Sequence, residues 1–144
     1  MLTSTEIALV RASFAQVAPF QEEAADVFYR RLFAMAPKLR KLFPGDLSQQ
    51  KRKLMQTVAV AVGGLTDLEK LVPVVRALGA RHAGYGVTAT DYVVVGEALL
   101  WTLEQGLGEA FKPEVRAAWA NVYHVIATTM QAGAEDLSGL RAAE

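Results

Sequence analysis

An all-α fold of about six to eight helices is what the sequence predicts. Three observations carry that expectation. Apolar residues recur at the roughly 3.6-residue period of a helix through most of the chain. No stretch shows convincing apolar–polar alternation bounded by turn residues, as a half-buried strand would; Val93-Val94-Val95 is β-branched but lies inside a longer helical pattern. Glycine and proline clusters separate the periodic segments. The chain has 144 residues and is 52% apolar, enough for one domain, spanning 1–144, with one sizeable core. Such folds pack helices at steep angles and can open a pocket between two of them.

Each element has a local reason. Thr3-Ser4-Thr5-Glu6 reads as a capping box, with Thr3 as the cap and Glu6 reaching back. Ile7, Val10, Phe14 and Val17 follow at helical spacing. Ala18-Pro19-Phe20 breaks this helix and starts the next, since proline suits a first turn. Ala24, Val27, Phe28, Leu32 and Met35 then mark a core stripe, with Tyr29 and Phe33 one turn apart beside it. Pro37 ends that helix and opens a short one through Leu42. Phe43-Pro44-Gly45-Asp46 is a turn cluster. Leu47 to Val62 forms another long helix, capped by Asp46 or Ser48, with Gln50, Leu54 and Val58 on one face. Gly63-Gly64 ends it. Leu68 to Ala83 is expected to be helical with an interruption near Pro73, and Val74, Leu78 and His82 share a face. Gly84 and Gly86 stop it. Thr88 or Thr90, ahead of Asp91, caps a helix through Leu103, striped by Tyr92, Val95, Leu99 and Leu103. Gly106 and Gly108 loosen the connection. Pro113 suits the start of a last helix carrying Val115, Trp119, Val122, Val125, Ile126 and Met130. The tail after Gly133 is small and polar and is expected to fray.

Composition removes several function classes. Formal net charge is zero, from 15 basic and 15 acidic residues, which argues against an electrostatic grip on nucleic acid or anionic membrane. Arg30, Arg31, Lys38, Arg40, Lys41, Lys51, Arg52 and Lys53 gather in the first third, but at helical spacing among apolar residues, so they read as solvated helix faces. There is no cysteine. Disulfides, zinc–thiolate sites, iron–sulfur clusters, a thiol nucleophile and thioether attachment of haem are therefore excluded. No signal peptide is visible, and apolar runs such as Val58 to Val62 are too short to span a bilayer. A cytoplasmic location, away from membranes, is the expectation.

Enzyme signatures are scarce. There is no P-loop, no Gly-x-Ser-x-Gly and no dinucleotide fingerprint after a strand. Glu22-Glu23 and the Asp91/Glu97 pair have no partners arranged for acid–base work. The chain has two histidines, and neither lies in His-x-x-x-His spacing. His124, between Tyr123 and Val125, reads as structural. What remains is His82 beneath Leu78 on one helix face. Across a pocket would stand Gln50, Leu54 and Val58, with Tyr29 and Phe43 as further lining. One axial imidazole, apolar walls and one or two hydrogen-bond donors are what a gas-binding haem needs. Gln50 is a poor iron ligand, so the sixth position would stay open. Bound O₂ acquires partial negative charge, which a tyrosine O–H and a glutamine N–H would stabilise most in a dry site.

These residues, in this order, resemble the globin family over nearly the whole chain, roughly from Thr3 to Gln131. The resemblance is to bacterial single-domain haemoglobins, to the globin portion of flavohaemoglobins and to neuroglobin-like proteins. Phe28 through Pro37 matches the family's second helix and its following proline. Leu42-Phe43 matches the aromatic that stacks on haem. Gln50 through Val58 matches the distal helix, and Leu78 through Val87 the proximal segment. Tyr92 through Leu100, then Trp119-x-x-x-Tyr123, match the last two helices.

The resemblance implies a globin fold around a haem pocket and a non-covalent haem b. His82 becomes the iron ligand and Phe43 the packing partner of the porphyrin. Tyr29 and Gln50 become the distal hydrogen-bonding pair, with Leu54 as the apolar distal wall. Val58, Leu78 and Val87 complete the haem contacts; Arg81 either pairs with a propionate or is solvated. The implied function is reversible binding of O₂, CO and NO, and so oxygen transport. The alternative is a nitric oxide dioxygenase served by a separate reductase, since flavin and nicotinamide domains are absent. A monomer or weak homodimer is expected. In flavohaemoglobins a tyrosine and a glutamate buttress the proximal histidine. Here Tyr92 fits the tyrosine, while the glutamate position falls on Ala134, with Glu135 beside it.

Overall fold

The computed structural model describes the backbone of residues 2–143 and the side chains of residues 2–135. Among these, six α-helices follow in order: α1 (Ser4–Val17), α2 (Gln21–Met35), α3 (Ser48–Gly63), α4 (Leu68–Gly84), α5 (Ala89–Leu107) and α6 (Pro113–Ala143). Short 3-10 segments, Ala18–Phe20, Pro37–Leu42 and Gly108–Ala110, connect them, and no strand forms among the described residues.

Helix ends follow the capping chemistry closely. The Thr3 hydroxyl accepts the Glu6 N–H at 3.1 Å, and the Thr3 N–H donates to the Glu6 carboxylate at 3.0 Å. Thr88, rather than Thr90, caps α5, with the reciprocal bonds to Asp91 at 2.9 and 3.3 Å. At the start of α3 the Asp46 carboxylate accepts from the Ser48 N–H at 3.1 Å and from its hydroxyl at 2.9 Å. The other end of α3 is closed from α1, where the Arg11 guanidinium donates to the carbonyls of Val62 at 3.3 Å and Gly63 at 2.9 Å. A cation there meets the negative end of the helix dipole.

Two local expectations need correction. α4 runs unbroken through Pro73. The N–H that proline lacks would have bonded the carbonyl of Glu69 in the first turn, where both residues are exposed and water replaces the lost donor. The tail after Gly133, expected to fray, continues α6 to Ala143, with Gly133 packed against α4.

The main core gathers Val10 and Val17 of α1, Leu71 and Val75 of α4, Leu103 of α5, and Trp119 and Val122 of α6. Trp119 is 2% exposed. Its indole N–H donates to the Ser13 hydroxyl at 2.8 Å, which donates onward to the Leu9 carbonyl at 2.7 Å. The buried polar groups at this α1–α6 contact are thus satisfied. α2 packs on α3 and α5, whereas α4 has α6 as its one extensive helix partner among the described residues. α3 and α4 do not pack extensively on each other.

Two contacts bring α6 unusually close to its neighbours. A Cβ built on Gly79 of α4 would lie 1.9 Å from the Met130 carbonyl oxygen, and one on Gly133 of α6 would lie 2.1 Å from the Arg76 carbonyl oxygen. On α5, a Cβ at Gly96 would meet the Tyr123 ring at 2.7 Å. The Tyr123 hydroxyl donates to the Tyr92 carbonyl at 2.5 Å. No helix among the described residues is long and apolar enough to cross a membrane.

Trp119→Phe keeps most of the apolar bulk but removes the buried N–H donor. It is expected to lower unfolding free energy by about 1–3 kcal/mol, read from chemical denaturation. Tyr123 supplies a pH dependence. Burial, and secondarily the neighbouring Tyr92 phenol, raise its pKa above the ordinary tyrosine value of 10.0. The folded state therefore holds that proton more tightly than the unfolded chain. Its contribution is fully present below about pH 10 and is lost as pH rises toward the higher folded value. Denaturation midpoints measured across that alkaline range should fall, and Tyr123→Phe should make the fall shallower.

Candidate functional site

The upper side of the site is built on α2. Tyr29 is 3% exposed. Its ring meets Phe28 and Phe43 edge-on, with centroids 5.0 and 5.6 Å apart, and Phe33 at a tilt with centroids 5.8 Å apart. This aromatic shell fixes the phenol. Burial raises its pKa, and hydrogen bonding from the Gln50 side chain offsets part of the rise. Tyr29 therefore remains a protonated donor at neutral pH, with the Gln50 amide of α3 against it.

Phe43 reaches this shell from the turn before α3. The turn is held by Arg40, whose guanidinium donates to the Phe43 carbonyl and, at 2.9 Å, to the Gly45 carbonyl. A second tie lies beside Gln50, where the Lys51 ammonium pairs with Asp26 of α2. The hydrogen bond from Lys51 holds the Asp26 carboxyl below its usual range.

The lower side is the last turn of α4. His82 is half-buried. Its Nδ1 lies 2.8 Å from the Leu78 carbonyl oxygen, one turn back along the same helix. A carbonyl only accepts, so Nδ1 carries the proton and Nε2 keeps a free lone pair. Beyond the helix Gly86, at φ 85°, turns the chain, and the Val87 N–H returns to the His82 carbonyl at 3.3 Å. That closure folds Val87 back against the core.

Other sequence-predicted residues fall around these two sides. Leu54 joins the apolar cluster of Tyr29 and Phe43, while Val58, Leu78, Val87 and Tyr92 join the main core cluster. Leu99 of α5 touches both clusters. Tyr92 is buried, but its hydroxyl is not the partner of His82 Nδ1, which is engaged by Leu78. Arg81 is exposed, as are Glu135 and His124. No carboxylate bonds His82 among the described residues.

The donor set and the walls fit a haem. Phe43, Leu54, Val58, Leu78, Val87 and Leu99 are all only half-buried. They leave part of their apolar surface exposed on α3, α4, α5 and the adjoining turns. A flat apolar macrocycle covers such surface, and a neutral imidazole nitrogen with a free lone pair is a ligand for its iron.

Charged residues near the site were the part that sequence reasoning missed. Most of the basic residues of the first third are exposed, as expected, but Lys51, Arg31 and Arg40 also make specific contacts. Lys51 pairs with Asp26, Arg40 binds the turn of Phe43, and Arg31 stacks over the Trp101 ring at 4.1 Å from its centroid. The one available signal was position. Asp26 lies one turn before Tyr29, and Lys51 directly follows Gln50.

Comparison with known proteins agrees with this architecture. The family model described as Globin matches residues 26–130. The chain is 29% identical to a neuroglobin of Tetraodon nigroviridis over 92% of each chain, and 28% identical to neuroglobin-1 of Oncorhynchus mykiss with the same coverage. It is also 30% identical to a flavohemoprotein of Bacillus subtilis over 88% of this chain, which corresponds to 33% of that longer protein. With the family match running from α2 into α6, the chain belongs to the globins, the haem proteins that bind oxygen and other small gaseous ligands.

Proposed function

We propose that this chain is a single globin domain that holds non-covalent haem b through His82 and reversibly binds O₂. The observation that carries the proposal is the Nδ1–H bond from His82 to the Leu78 carbonyl, which leaves Nε2 free. When bound, ferrous haem supplies a coordination site for O₂, CO or NO. The chain's own residues do the rest. Phe43, Leu54, Val58, Leu78 and Val87 exclude water from the apolar faces of the cofactor. Tyr29 and Gln50 present an O–H and an N–H to a ligand that takes up negative charge. Arg81, exposed beside His82, is available to a propionate. Tyr92 acts as packing beneath the histidine.

A second reading, nitric oxide dioxygenase, is favoured by the Tyr29/Gln50 pairing and by the likeness to a flavohemoprotein. Combining nitric oxide with O₂ to give nitrate costs the site one electron per turnover, which a separate reductase would supply. The proximal side favours oxygen binding as the main role. A carbonyl acceptor on Nδ1–H leaves the imidazole less electron-donating than a carboxylate would. In this form the protein is a cytoplasmic monomer or weak homodimer.

Optical spectra of the ferric, ferrous and carbonyl forms test the haem assignment, and a reconstituted sample without a Soret band would end it. His82→Ala should abolish or scramble axial ligation, visible in the ferrous and carbonyl spectra; unchanged spectra count against His82. Tyr29→Phe should speed O₂ dissociation by about tenfold or more, the effect of one lost charge-assisted hydrogen bond, with little change for CO. Equal changes for both gases would mean that the tyrosine acts by bulk alone. For the second reading, the measurement is multiple-turnover nitric oxide consumption with a reductase present.

A further inference from the structure

We propose that Gly79 and Gly133 are positioning residues for His82: their backbone-to-backbone contact sets the depth of α4 against α6 and thereby the place of the imidazole. The proposal rests on the reading of His82 as the iron ligand.

The contact is reciprocal. Gly79 of α4 receives the Met130 carbonyl of α6, and Gly133 of α6 receives the Arg76 carbonyl of α4. Arg76 to Gly79 and Met130 to Gly133 are each one helical turn, so the two helices cross antiparallel, with each glycine in register with the other helix's carbonyl. A methyl group at Gly79 would stand 1.9 Å from the Met130 oxygen, and one at Gly133 2.1 Å from the Arg76 oxygen. Neither oxygen is the end of a flexible side chain. Both belong to helical backbone, so relief requires the helices to separate. Glycine also lets Cα–H groups sit on the facing carbonyls, a weak attraction that recurs at close helix crossings.

Displacement of α4 bears on the histidine directly. Gly79 is three residues before His82, and its peptide nitrogen is bonded to the very Leu78 carbonyl that accepts from His82 Nδ1. A shift at Gly79 therefore moves the acceptor and the ring together. No second helix packs extensively on α4 among the described residues to resist that shift. The other close glycines among the described residues face side chains, Gly96 the Tyr123 ring and Gly64 the Leu71 side chain, and a Cβ at Gly63 meets nothing within 4 Å.

The test uses the haem-loaded full chain with Gly79→Ala, Gly133→Ala and, as control, Gly63→Ala. Helix content of each apoprotein is read by circular dichroism, haem loss by transfer to an excess of acceptor apoglobin, and axial ligation by ferrous and carbonyl spectra. Each substitution is repeated in His82→Gly with added imidazole, where the iron's ligand is no longer tethered to α4. With His82 present, Gly79→Ala and Gly133→Ala should keep native apoprotein helicity, lose haem faster by about tenfold or more, and shift the ferrous spectrum toward a weakened iron–histidine bond. In the imidazole background the same substitutions should leave the ferrous spectrum unchanged. Gly63→Ala should match the parent throughout.

Three results would overturn the proposal. One is parental spectra and haem loss in both glycine variants. Another is equal spectral shifts with tethered and free imidazole. The third is collapse of helicity in both apoproteins, which would make the crossing a support for the whole fold rather than for the ligand. The assignment beneath it is read separately: parental spectra for His82→Gly without imidazole would remove His82 as ligand, whatever the glycine variants do.

Discussion

Among the described residues the helix that carries His82 has one extensive helix partner, α6, and the two meet backbone to backbone at one crossing. α4 meets α6 where Gly79 and Gly133 each accommodate the other helix's carbonyl. Ordinary helix pairs keep axes about 8–10 Å apart because side chains fill the gap between them. Removing both side chains at one crossing brings the helices closer and fixes their separation with inflexible atoms. Side-chain packing around it, from Leu71 and Val75 into the core of Trp119 and Val122, adds apolar burial but tolerates rotamer change. The glycine contact does not.

The opposite side of the site is anchored elsewhere. Tyr29 and Phe43 sit in an aromatic shell belonging to α2 and the turn before α3, and that turn is held by Arg40. Gln50 is placed by a helix that Asp46 holds at its start and Arg11 at its end. The Lys51–Asp26 pair joins α3 to α2 beside the Tyr29/Gln50 meeting point. As an exposed pair it adds little stability; its effect is one of register. The two sides thus belong to separate apolar clusters, with Leu99 of α5 touching both. A cofactor held between them, as proposed, would link its binding to folding.

The proximal hydrogen bond also bears on the kind of chemistry the site favours. A histidine N–H given to a carboxylate makes the ring partly imidazolate in character and pushes electron density to the iron. Given to a main-chain carbonyl, the ring stays a neutral imidazole. Here the carbonyl is four residues back on the same helix, so the helix itself sets the tautomer and no second element is required. Glu135, beside the position where a carboxylate was expected, is exposed and does not bond the ring.

Much of this architecture is local and was legible in the chain. Thr3 with Glu6 and Thr88 with Asp91 fixed helix starts because a short side chain can reach only its own first turn. Gly86 marked the stop after His82 because a non-glycine residue is strained at its positive φ. His82, Tyr29, Phe43 and Gln50 stood out because the chain offers few alternatives for chemistry, and their family order named the rest. Other features depended on residues far apart in sequence. Whether Pro73 breaks α4 depended on where its missing donor would fall. That Lys51 pairs with Asp26 depended on the packing of α3 on α2. Gly79 and Gly133 look like weak points in two helices when read as sequence, since glycine lowers helix propensity. Only the tertiary structure makes them a backbone-to-backbone contact, because a missing side chain has meaning only once the backbone that fills its place is known.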